Sequence, residues 1–230
     1  TVLDARSGPR ICVSLTGKDE PALRQELQQV LTSPAEILEW RLDYFAQLDD
    51  AKAVLSAAKA IRHAAGDLPI ILTRRSIREG GQPIPLNEQQ VFALYHDIAH
   101  SACADVLDWE LDSPEEMLDA CRALAPNTGT KLLASYHNFN HTPESSTLIA
   151  KFRTAQASGA DIAKLAVMPR SPHDVLALLE ACLAADAELQ IPVVAMSMGA
   201  LGANTRLIAW QFGSAITFAA GSQASAPGQW

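Results

Sequence analysis

The chain has 230 residues, of which 48% are hydrophobic and only 6% aromatic, a composition typical of one compact domain with an aliphatic core. Its 18 Lys and Arg residues against 26 Asp and Glu residues give a net charge of −8, which disfavours nucleic acid and anionic membranes as partners. The four cysteines are scattered without a Cys-x-x-Cys pair, so their spacing indicates neither a disulfide framework nor a zinc site. We expect a single domain over residues 1–230, in which any acidic ligand is bound by a local group of arginines.

Short apolar runs alternate with longer helical patterns along the chain, which is typical of repeated βα units around a parallel sheet. Eight strands are predicted, at Ile11–Leu15, Ile37–Asp43, Pro69–Arg75, Val106–Leu111, Lys131–His137, Ile162–Met168, Pro192–Met198 and Ile216–Ala220. Seven helices are predicted, at Pro21–Leu31, Ala51–Ala65, Glu88–Ser101, Pro114–Leu124, Pro143–Ser158, Pro172–Ala185 and Thr205–Phe212. This count in this length favours an α/β fold of the (β/α)₈ TIM barrel type over an open doubly wound sheet. The eighth helix is expected to be short or absent.

Charged residues occur on five consecutive predicted strands, near the carboxyl ends where a barrel carries its ligand site. Glu39 and Arg41 are two residues apart and share one face of the second strand. The following strands carry Arg74 and Arg75, then Asp108, Glu110 and Asp112, then His137, then Lys164. One such residue alone is more simply explained as a strand-end charge that reaches solvent. That explanation does not fit charges at matching depth in five neighbouring strands, because barrel interiors are normally filled by Val, Ile and Leu.

Lys164 lies in the run Asp161-Ile-Ala-Lys-Leu-Ala-Val-Met168, in which only Asp161 supplies a carboxylate. Burial without a carboxylate partner favours the neutral amine, which is the form that attacks a carbonyl carbon to give a Schiff base. We interpret Lys164 as a nucleophile. A structural lysine paired with an acid of the fourth strand remains the alternative.

His137 ends the strand beside that of Lys164, within side-chain reach of it in a barrel, where its natural role is a proton shuttle near neutral pH. A core histidine bonded to the backbone is the structural alternative. A zinc site with His141 is a weaker interpretation, because the Asn-Phe-Asn between the two histidines predicts a loop rather than a helix.

The seventh strand and the helix after it add three candidates. Met196 and Met198 share a face of the strand, although methionine more commonly fills a core. Arg206 stands on the first turn of the helix, where a guanidinium can bind a carboxylate bidentately. Gly199 and Gly202 lack the spacing of a phosphate-binding loop and indicate one only weakly.

In order, and across nearly the whole chain, these segments resemble the type I 3-dehydroquinate dehydratases, the Schiff-base dehydratases of the shikimate pathway. The matching segments are Glu39-Trp-Arg41, Arg75-Ser-Ile-Arg-Glu-Gly-Gly81, Asp108 and Glu110, His137, Lys164 with Ala166-Val-Met-Pro169, Met196-Ser-Met198, Arg206, Phe218, and Ser225-Ala-Pro-Gly-Gln229. The resemblance implies a barrel enzyme, a hydro-lyase that eliminates water from 3-dehydroquinate to give 3-dehydroshikimate, with no cofactor and no metal.

The resemblance also implies a role for each matching position. Lys164 would form an imine with the substrate ketone, His137 would remove a proton from the neighbouring carbon, and Glu79 would pair with His137 and tune it. Arg206, Ser225 and Gln229 would bind the substrate carboxylate; Glu39, Arg41 and Arg75 would hold its hydroxyls; Met196, Met198 and Phe218 would pack against its ring. The same imidazolium would then protonate the departing hydroxyl, and water would hydrolyse the imine.

Two positions depart from the family pattern. Asn138 follows the histidine where family members commonly carry an acid, a change that bears on the pKa or orientation of His137. The chain stops at Trp230, where family members continue into a final helix. The small, polar stretch Gly221–Trp230 is expected to act as a lid that orders when Ser225 and Gln229 meet the substrate carboxylate.

Two other functions remain open from the sequence. A class I aldolase uses the same barrel lysine, but usually acts on phosphorylated substrates. A catalytically lapsed barrel could act as a binding module, although such a barrel has no physical reason to keep a buried lysine. We further expect a homodimer, located in the cytoplasm, that binds a small-molecule carboxylate. No membrane segment is expected, since the most apolar stretch, Leu207–Gly221, is shorter than the roughly 20 residues that a membrane helix needs.

Overall fold

The computed structural model describes residues 8–221 and 224–229 of the chain. Parallel strands form its sheet: β1 (Arg10–Leu15), β2 (Ile37–Arg41), β3 (Ile70–Thr73), β4 (Val106–Glu110), β5 (Lys131–Asn138), β6 (Ile162–Val167), β7 (Val193–Ser197) and β8 (Ile216–Ala219). The strands from β1 to β7 pair in chain order, and β8 pairs with β1. A parallel bridge between Val193 and Ser214 links the two ends of the sheet. The (β/α)₈ barrel predicted from the sequence is confirmed.

Helices cover the outside of the sheet: α1 (Glu20–Val30), α2 (Ala51–Ala65), α3 (Glu88–His100), α4 (Glu115–Thr128), α5 (Ser145–Ala157), α6 (Pro172–Glu188), α7 (Gly199–Gly202) and α8 (Thr205–Ile208). Short polar side chains cap several of them, and Asn87 forms a reciprocal capping box with Gln90 at the start of α3. No helix in the described part of the chain is long and apolar enough to cross a membrane.

Several predicted boundaries were wrong where the chain turns at the barrel mouth. Strand β2 ends at Arg41 rather than Asp43, because Leu42–Tyr44 forms a 3₁₀ turn, and β3 ends at Thr73 rather than Arg75. The helix predicted over Thr205–Phe212 is α8 followed by a 3₁₀ turn over Ala209–Phe212. After β8, residues 220–221 and 224–229 contain no helix.

The barrel interior changes from apolar to polar within one step of the strand pleat. Inward-facing side chains alternate along each strand, so residues two apart stand one layer apart on the same face. The lower layer is apolar and includes Cys12, Ile37, Ile71, Leu133, Ile162 and Val194. Two residues further along the same strands stand Ser14, Glu39, Thr73, Ser135, Lys164 and Met196, all of them buried. An apolar layer therefore lies beneath a layer that is mostly polar.

At the opposite end of the barrel, three carboxylates fix the register between neighbouring strands. Asp105, just before β4, donates its backbone N–H to the carbonyl of Ile70 at 2.9 Å and accepts the N–H of Ile70 at 2.7 Å through Oδ2. Glu36 does the same with Ile11 and Asp161 with Leu132. Each of the three also pairs with a basic side chain, from Arg10, Arg62 or Lys131. An acid before each of β2, β4 and β6 therefore holds the preceding odd-numbered strand.

Replacing Asp105 tests this arrangement. Asp105→Ala leaves the N–H of the buried Ile70 without its acceptor, and we expect a loss of about 1 to 3 kcal/mol in the free energy of unfolding, measured by urea denaturation. Asp105→Asn keeps an acceptor oxygen and should lose clearly less. Equal losses in the two variants would show that the charge, rather than the hydrogen bond to the strand, is what matters.

Candidate active site

A cavity of about 450 Å³, open to solvent, lies at the carboxyl ends of the strands. All twelve residues that the sequence analysis assigned to a site line it: Glu39, Arg41, Arg75, Glu79, His137, Lys164, Met196, Met198, Arg206, Phe218, Ser225 and Gln229. Gly80, Phe139, Ala166 and Ala226 complete the lining. The sequence analysis gave none of these four a role, although all but Phe139 lie in segments that it matched to the family. The pleat alone could have identified Ala166, which stands two residues after Lys164 on the same face of β6.

Lys164 is buried among charges from other strands, and one of them is an acid of the fourth strand, the partner that the alternative interpretation of the sequence named. Its Nζ lies 3.2 Å from Oδ2 of Asp108 and 3.7 Å from Oε1 of Glu39. The same Nζ lies 4.2 Å from the centre of the Phe218 ring, within the range of a cation–π contact. Asp161, the neighbour in sequence, instead binds Lys131 at the other end of the barrel. The expectation of a lysine without a carboxylate partner was wrong, because its partners come from β2 and β4.

Asp108 is the fully buried centre of this charge cluster. Its Oδ2 accepts from Arg75 at 2.8 Å as well as from Lys164, and its Oδ1 accepts from Ser135 at 2.6 Å. Burial alone would raise the pKa of this carboxyl, but Arg75, Lys164 and Ser135 outweigh it and lower the pKa to about 2. Asp108 is therefore an anion at any physiological pH.

Two of the three arginines in the cavity are already paired with carboxylates. Arg75 contacts Asp108, and its Nη1 lies 3.4 Å from Glu110 and 3.6 Å from Glu79. Arg41 binds Asp43 through Nε at 2.9 Å and Nη2 at 2.8 Å. The positive charge of both guanidiniums is compensated within the protein.

Asp43 is a structural residue of the site that the sequence analysis missed. Besides Arg41, its carboxylate accepts the backbone N–H of Arg75 at 3.2 Å and of Gln82 at 3.0 Å. It therefore ties the end of β2 to both ends of the loop that carries Glu79. The sequence analysis assigned Asp43 to a strand, and only the turn after Arg41 directs it towards this loop.

Hydroxyl groups on neighbouring strands orient the acids and were also missed. Ser14 and Thr73 donate to the two oxygens of Glu39 at 2.6 Å and 2.9 Å. Behind the sheet, the Tyr95 hydroxyl on α3 accepts the N–H of Arg74 at 2.5 Å and donates to the carbonyl of Asp108 at 3.1 Å. Tyr95 thus joins β3 to β4 where their ladder ends.

His137 and Glu79 form a buried pair. Oε2 of Glu79 lies 2.8 Å from Nδ1 of His137 and also accepts the backbone N–H of His137 at 3.0 Å. Two glycines allow the loop to reach this position: Gly80 has a φ of +83°, and a Cβ on Gly81 would lie 1.9 Å from the carbonyl oxygen of Arg75. A side chain at either glycine would push Glu79 away from the imidazole.

The electrostatics of this pair favour a neutral imidazole. Burial, and the nearby charges of Arg75, Lys164 and Arg41, hold the pKa of His137 well below its ordinary value. Burial raises the pKa of Glu79. When Glu79 accepts the Nδ1 hydrogen, Nε2 is left with a free lone pair and can act as a base.

The side chain of Asn138 hydrogen-bonds to residues other than His137. Its Nδ2 donates to the Tyr136 hydroxyl at 3.1 Å, and its Oδ1 accepts the backbone N–H groups of Asn140 and His141 at 2.9 Å and 3.0 Å. The residue that differs from the family pattern, Asn138, therefore contributes hydrogen bonds to the loop after β5. The structure gives His141 no role beside His137, and the described residues contain no group of three or more His, Cys, Asp or Glu side chains able to hold a metal.

Arg206 differs from the other arginines because its acceptors are uncharged. Its guanidinium donates to the carbonyls of Gly228 at 2.8 Å, Phe218 at 2.9 Å and Pro227 at 3.1 Å. No carboxylate pairs with it in residues 8–221 and 224–229. Burial without a counter-ion lowers the pKa of Arg206 to about 10, so it remains a cation near neutral pH. Nη1 also donates to the sulfur of Met196 at 3.6 Å, and a thioether is a weak acceptor. Of the five N–H donors, one on Nη2 has no partner and one on Nη1 has only this sulfur, so a carboxylate that displaces the sulfur can bind both.

The segment 224–229 crosses the mouth of the cavity. Two arginines bond to this segment: Arg206, through the carbonyls given above, and Arg41, whose Nη1 donates to the carbonyl of Ser225 at 3.3 Å. The side chains of Ser225 and Gln229 face each other: Oε1 of Gln229 accepts from the backbone N–H and the hydroxyl of Ser225 at 2.6 Å and 3.2 Å. The lid predicted for Gly221–Trp230 lies in part outside the described residues, at 222, 223 and 230.

Comparisons with known proteins identify the family. The model of the type I 3-dehydroquinase family matches residues 11–230. A 3-dehydroquinate dehydratase of Aromatoleum aromaticum is 47% identical over 221 residues, which is 96% of this chain and 85% of the relative. The crystal structure of 3-dehydroquinate dehydratase from Geobacillus kaustophilus has 48% identity and a TM-score of 0.94, with coverage of 97% of this chain and 86% of that one.

A second solved structure is that of a type I 3-dehydroquinate dehydratase from Clostridium difficile with covalently modified comenic acid. It is 34% identical to this chain with a TM-score of 0.91, and the matched region covers 96% of this chain and 87% of that one. The resemblance found in the sequence is confirmed, and the chain belongs to the type I 3-dehydroquinase family.

Proposed function

We propose that the chain eliminates water from 3-dehydroquinate to give 3-dehydroshikimate through an imine on Lys164, with His137 as the proton-transfer residue. The observation that carries this proposal is the distribution of charge in one cavity. A buried lysine and a neutral histidine lie at the strand ends, and one buried guanidinium, that of Arg206, has no carboxylate partner among the described residues. A keto acid presents a ketone that suits Lys164 and a carboxylate that suits Arg206.

The imine step uses the amine of Lys164 and the anion of Asp108. The neutral amine attacks the ketone carbon, and the ketone oxygen leaves as water after protonation. Loss of the lysine proton does not leave Asp108 unpaired, because Arg75 and Ser135 still donate to it. When the iminium forms, positive charge returns to the same nitrogen beside Asp108 and Glu39. The cluster therefore stabilises the iminium that acidifies the adjacent carbon.

The elimination step uses Nε2 of His137. The neutral imidazole takes the proton from the carbon beside the iminium, and Glu79 at Nδ1 stabilises the positive charge that develops on the ring. The imidazolium then protonates the departing hydroxyl, and water hydrolyses the remaining imine. Glu39, Arg41 and Arg75 hold the substrate hydroxyls in this proposal, while Met196, Met198 and Phe218 pack against the ring.

The charge balance of the cavity selects Arg206 for the substrate carboxylate. Arg41 and Arg75 already neutralise carboxylates of the protein. Of the three cavity arginines, Arg206 is the one without a carboxylate partner in the described part of the chain. Ser225 and Gln229 lie on the segment that supplies two of its carbonyl acceptors. We propose that they complete the carboxylate site, and that segment 224–229 closes over it as a lid. The arrangement favours a carboxylate over the phosphorylated substrates of a class I aldolase.

Reduction with borohydride tests the nucleophile. In the presence of 3-dehydroquinate, borohydride should trap a stable amine on Lys164, located by peptide mass spectrometry. Lys164→Ala should abolish both the adduct and turnover, whereas Lys131→Ala, on the opposite end of the barrel, should retain both. An adduct on another lysine would overturn the mechanism.

Replacement of His137 tests the proton transfer. His137→Ala should still form the trappable imine but lose turnover by a factor on the order of 10² to 10⁴. Normal turnover in this variant would move the shuttle elsewhere, with Glu79 as the next candidate.

The pH dependence of the unmodified enzyme tests the state of His137. A pKa lowered by burial keeps the imidazole neutral as pH falls, so the acid limb of kcat/KM should lie below the ordinary histidine value of about 6.5. An acid limb above that value would show that His137 is not the base, or that it is charged in the free enzyme.

Replacement of Arg206 tests whether its guanidinium binds the substrate carboxylate. Arg206→Ala should cost about 2 kcal/mol or more of binding, which corresponds to a KM roughly 30-fold higher. Arg206→Lys keeps the charge but not the two parallel donors, and should recover only part of the loss. A KM unchanged in both variants would exclude Arg206 as the carboxylate site.

We also propose a homodimer, in which the outer face of α6 meets a second copy. Leu176 and Leu183 are seven residues apart on that helix and 60% and 52% exposed, and removing such side chains from water favours association. Leu176→Glu with Leu183→Glu should give a monomer in sedimentation equilibrium, whereas Leu31→Glu on α1 should not.

A cytoplasmic location is our further proposal, supported by four cysteines that are all free thiols.

A further inference from the structure

The last turn of α3 carries two exposed histidines that the proposed reaction does not use. His96 and His100 are four residues apart, so they are neighbours on one face of the helix. Their ring centres lie 4.0 Å apart, and the ring planes meet at 31°. Neither residue lines the cavity at the barrel mouth.

The partners of the two Nδ1 atoms fix where each ring carries its hydrogen. Nδ1 of His100 lies 2.9 Å from the carbonyl oxygen of His96, and Nδ1 of His96 lies 3.2 Å from Oδ1 of Asp97. A carbonyl oxygen and a carboxylate oxygen accept hydrogen bonds but cannot donate them, so both Nδ1 atoms are the donors. In the neutral rings both Nε2 atoms are then left with free lone pairs.

We propose that His96 and His100 bind one divalent transition-metal ion, of the class of Zn²⁺, Ni²⁺ and Cu²⁺, through their two Nε2 atoms. Two histidines at this spacing on a helix present their rings to one ion. A ring whose other nitrogen donates to a carbonyl or carboxylate is the arrangement that orients metal-bound histidines and raises their basicity. The site also lies at the carboxyl end of α3, where the helix dipole favours a cation.

The ligand set determines which ions this site selects. Imidazole suits Zn²⁺, Ni²⁺ and Cu²⁺, with Cu²⁺ bound most tightly, whereas Mg²⁺ and Ca²⁺ prefer oxygen ligands. The described residues provide no third His, Cys, Asp or Glu ligand for the ion, so its remaining coordination positions go to water. The ion is therefore bound at the surface and joins the last turn of α3 without touching the cavity.

Titration of the whole chain with the metal salts alone tests this site. Isothermal titration with NiCl₂ or ZnCl₂ should show one saturable site, and MgCl₂ should show none. His96→Ala and His100→Ala should each weaken the affinity at least tenfold, whereas His173→Ala, which removes another exposed histidine, should leave it unchanged. Asp97→Ala should weaken it by a smaller factor, because the orientation of His96 is lost.

Electron paramagnetic resonance of bound Cu²⁺ gives a second readout that does not depend on affinity. The spectrum should show two equatorial nitrogens in the unmodified chain and one in each single variant. The absence of saturable Ni²⁺ and Zn²⁺ binding would overturn the proposal, as would binding that survives in the His96→Ala, His100→Ala double variant.

Discussion

Three buried charges that meet at Asp108 determine how the rest of the cavity is built. A carboxylate enclosed with a guanidinium and an ammonium loses the solvation of all three groups, and removing one partner from such a buried set typically destabilises a protein by about 3 to 5 kcal/mol. Asp108 avoids dependence on a single partner by accepting from Arg75, Lys164 and Ser135 at once. The lysine can therefore change its covalent and protonation state while the carboxylate remains bound to two other donors. A buried lysine paired with an acid that had no other donor would not have this freedom.

The pleat of the parallel strands explains why so much of this site could be predicted from sequence. Side chains two residues apart share a face, so Glu39 with Arg41 and Met196 with Met198 were recognisable as pairs before their surroundings were known. The fold and the family, predicted from these patterns, are confirmed. The sequence offered a pairing of Lys164 with an acid of the fourth strand only as an alternative. It could not select Asp108, because the contact joins residues 56 positions apart and depends on the register of the strands between them.

Small hydroxyl residues and turn residues account for most of what the sequence analysis missed. Ser14, Thr73 and Ser135 have no charge to mark them within an apolar strand, yet each donates to an acid of the site. Asp43 was misplaced because the alternation of apolar and charged residues continues beyond the true end of β2. In both cases the local sequence is compatible with an ordinary strand, and only the three-dimensional partners give the residue its role.

The position of Arg206 at the site was predicted, but its hydrogen-bond partners were not, because its segment lies outside the barrel and a helix arginine is commonly a surface residue. It reaches the cavity beside β8, where it donates to the carbonyl of Phe218. Its other acceptors, the carbonyls of Pro227 and Gly228, belong to the segment that crosses the cavity mouth. Bonds from a cation to a carboxylate are roughly twice as strong as those between neutral groups. For such bonds Arg206 keeps one N–H donor without a partner and one that is bonded only to the weak thioether acceptor of Met196. One guanidinium therefore holds segment 224–229 at the cavity mouth. If the same guanidinium binds the substrate carboxylate, as we propose, the order of this segment depends on the negative charge of the occupant.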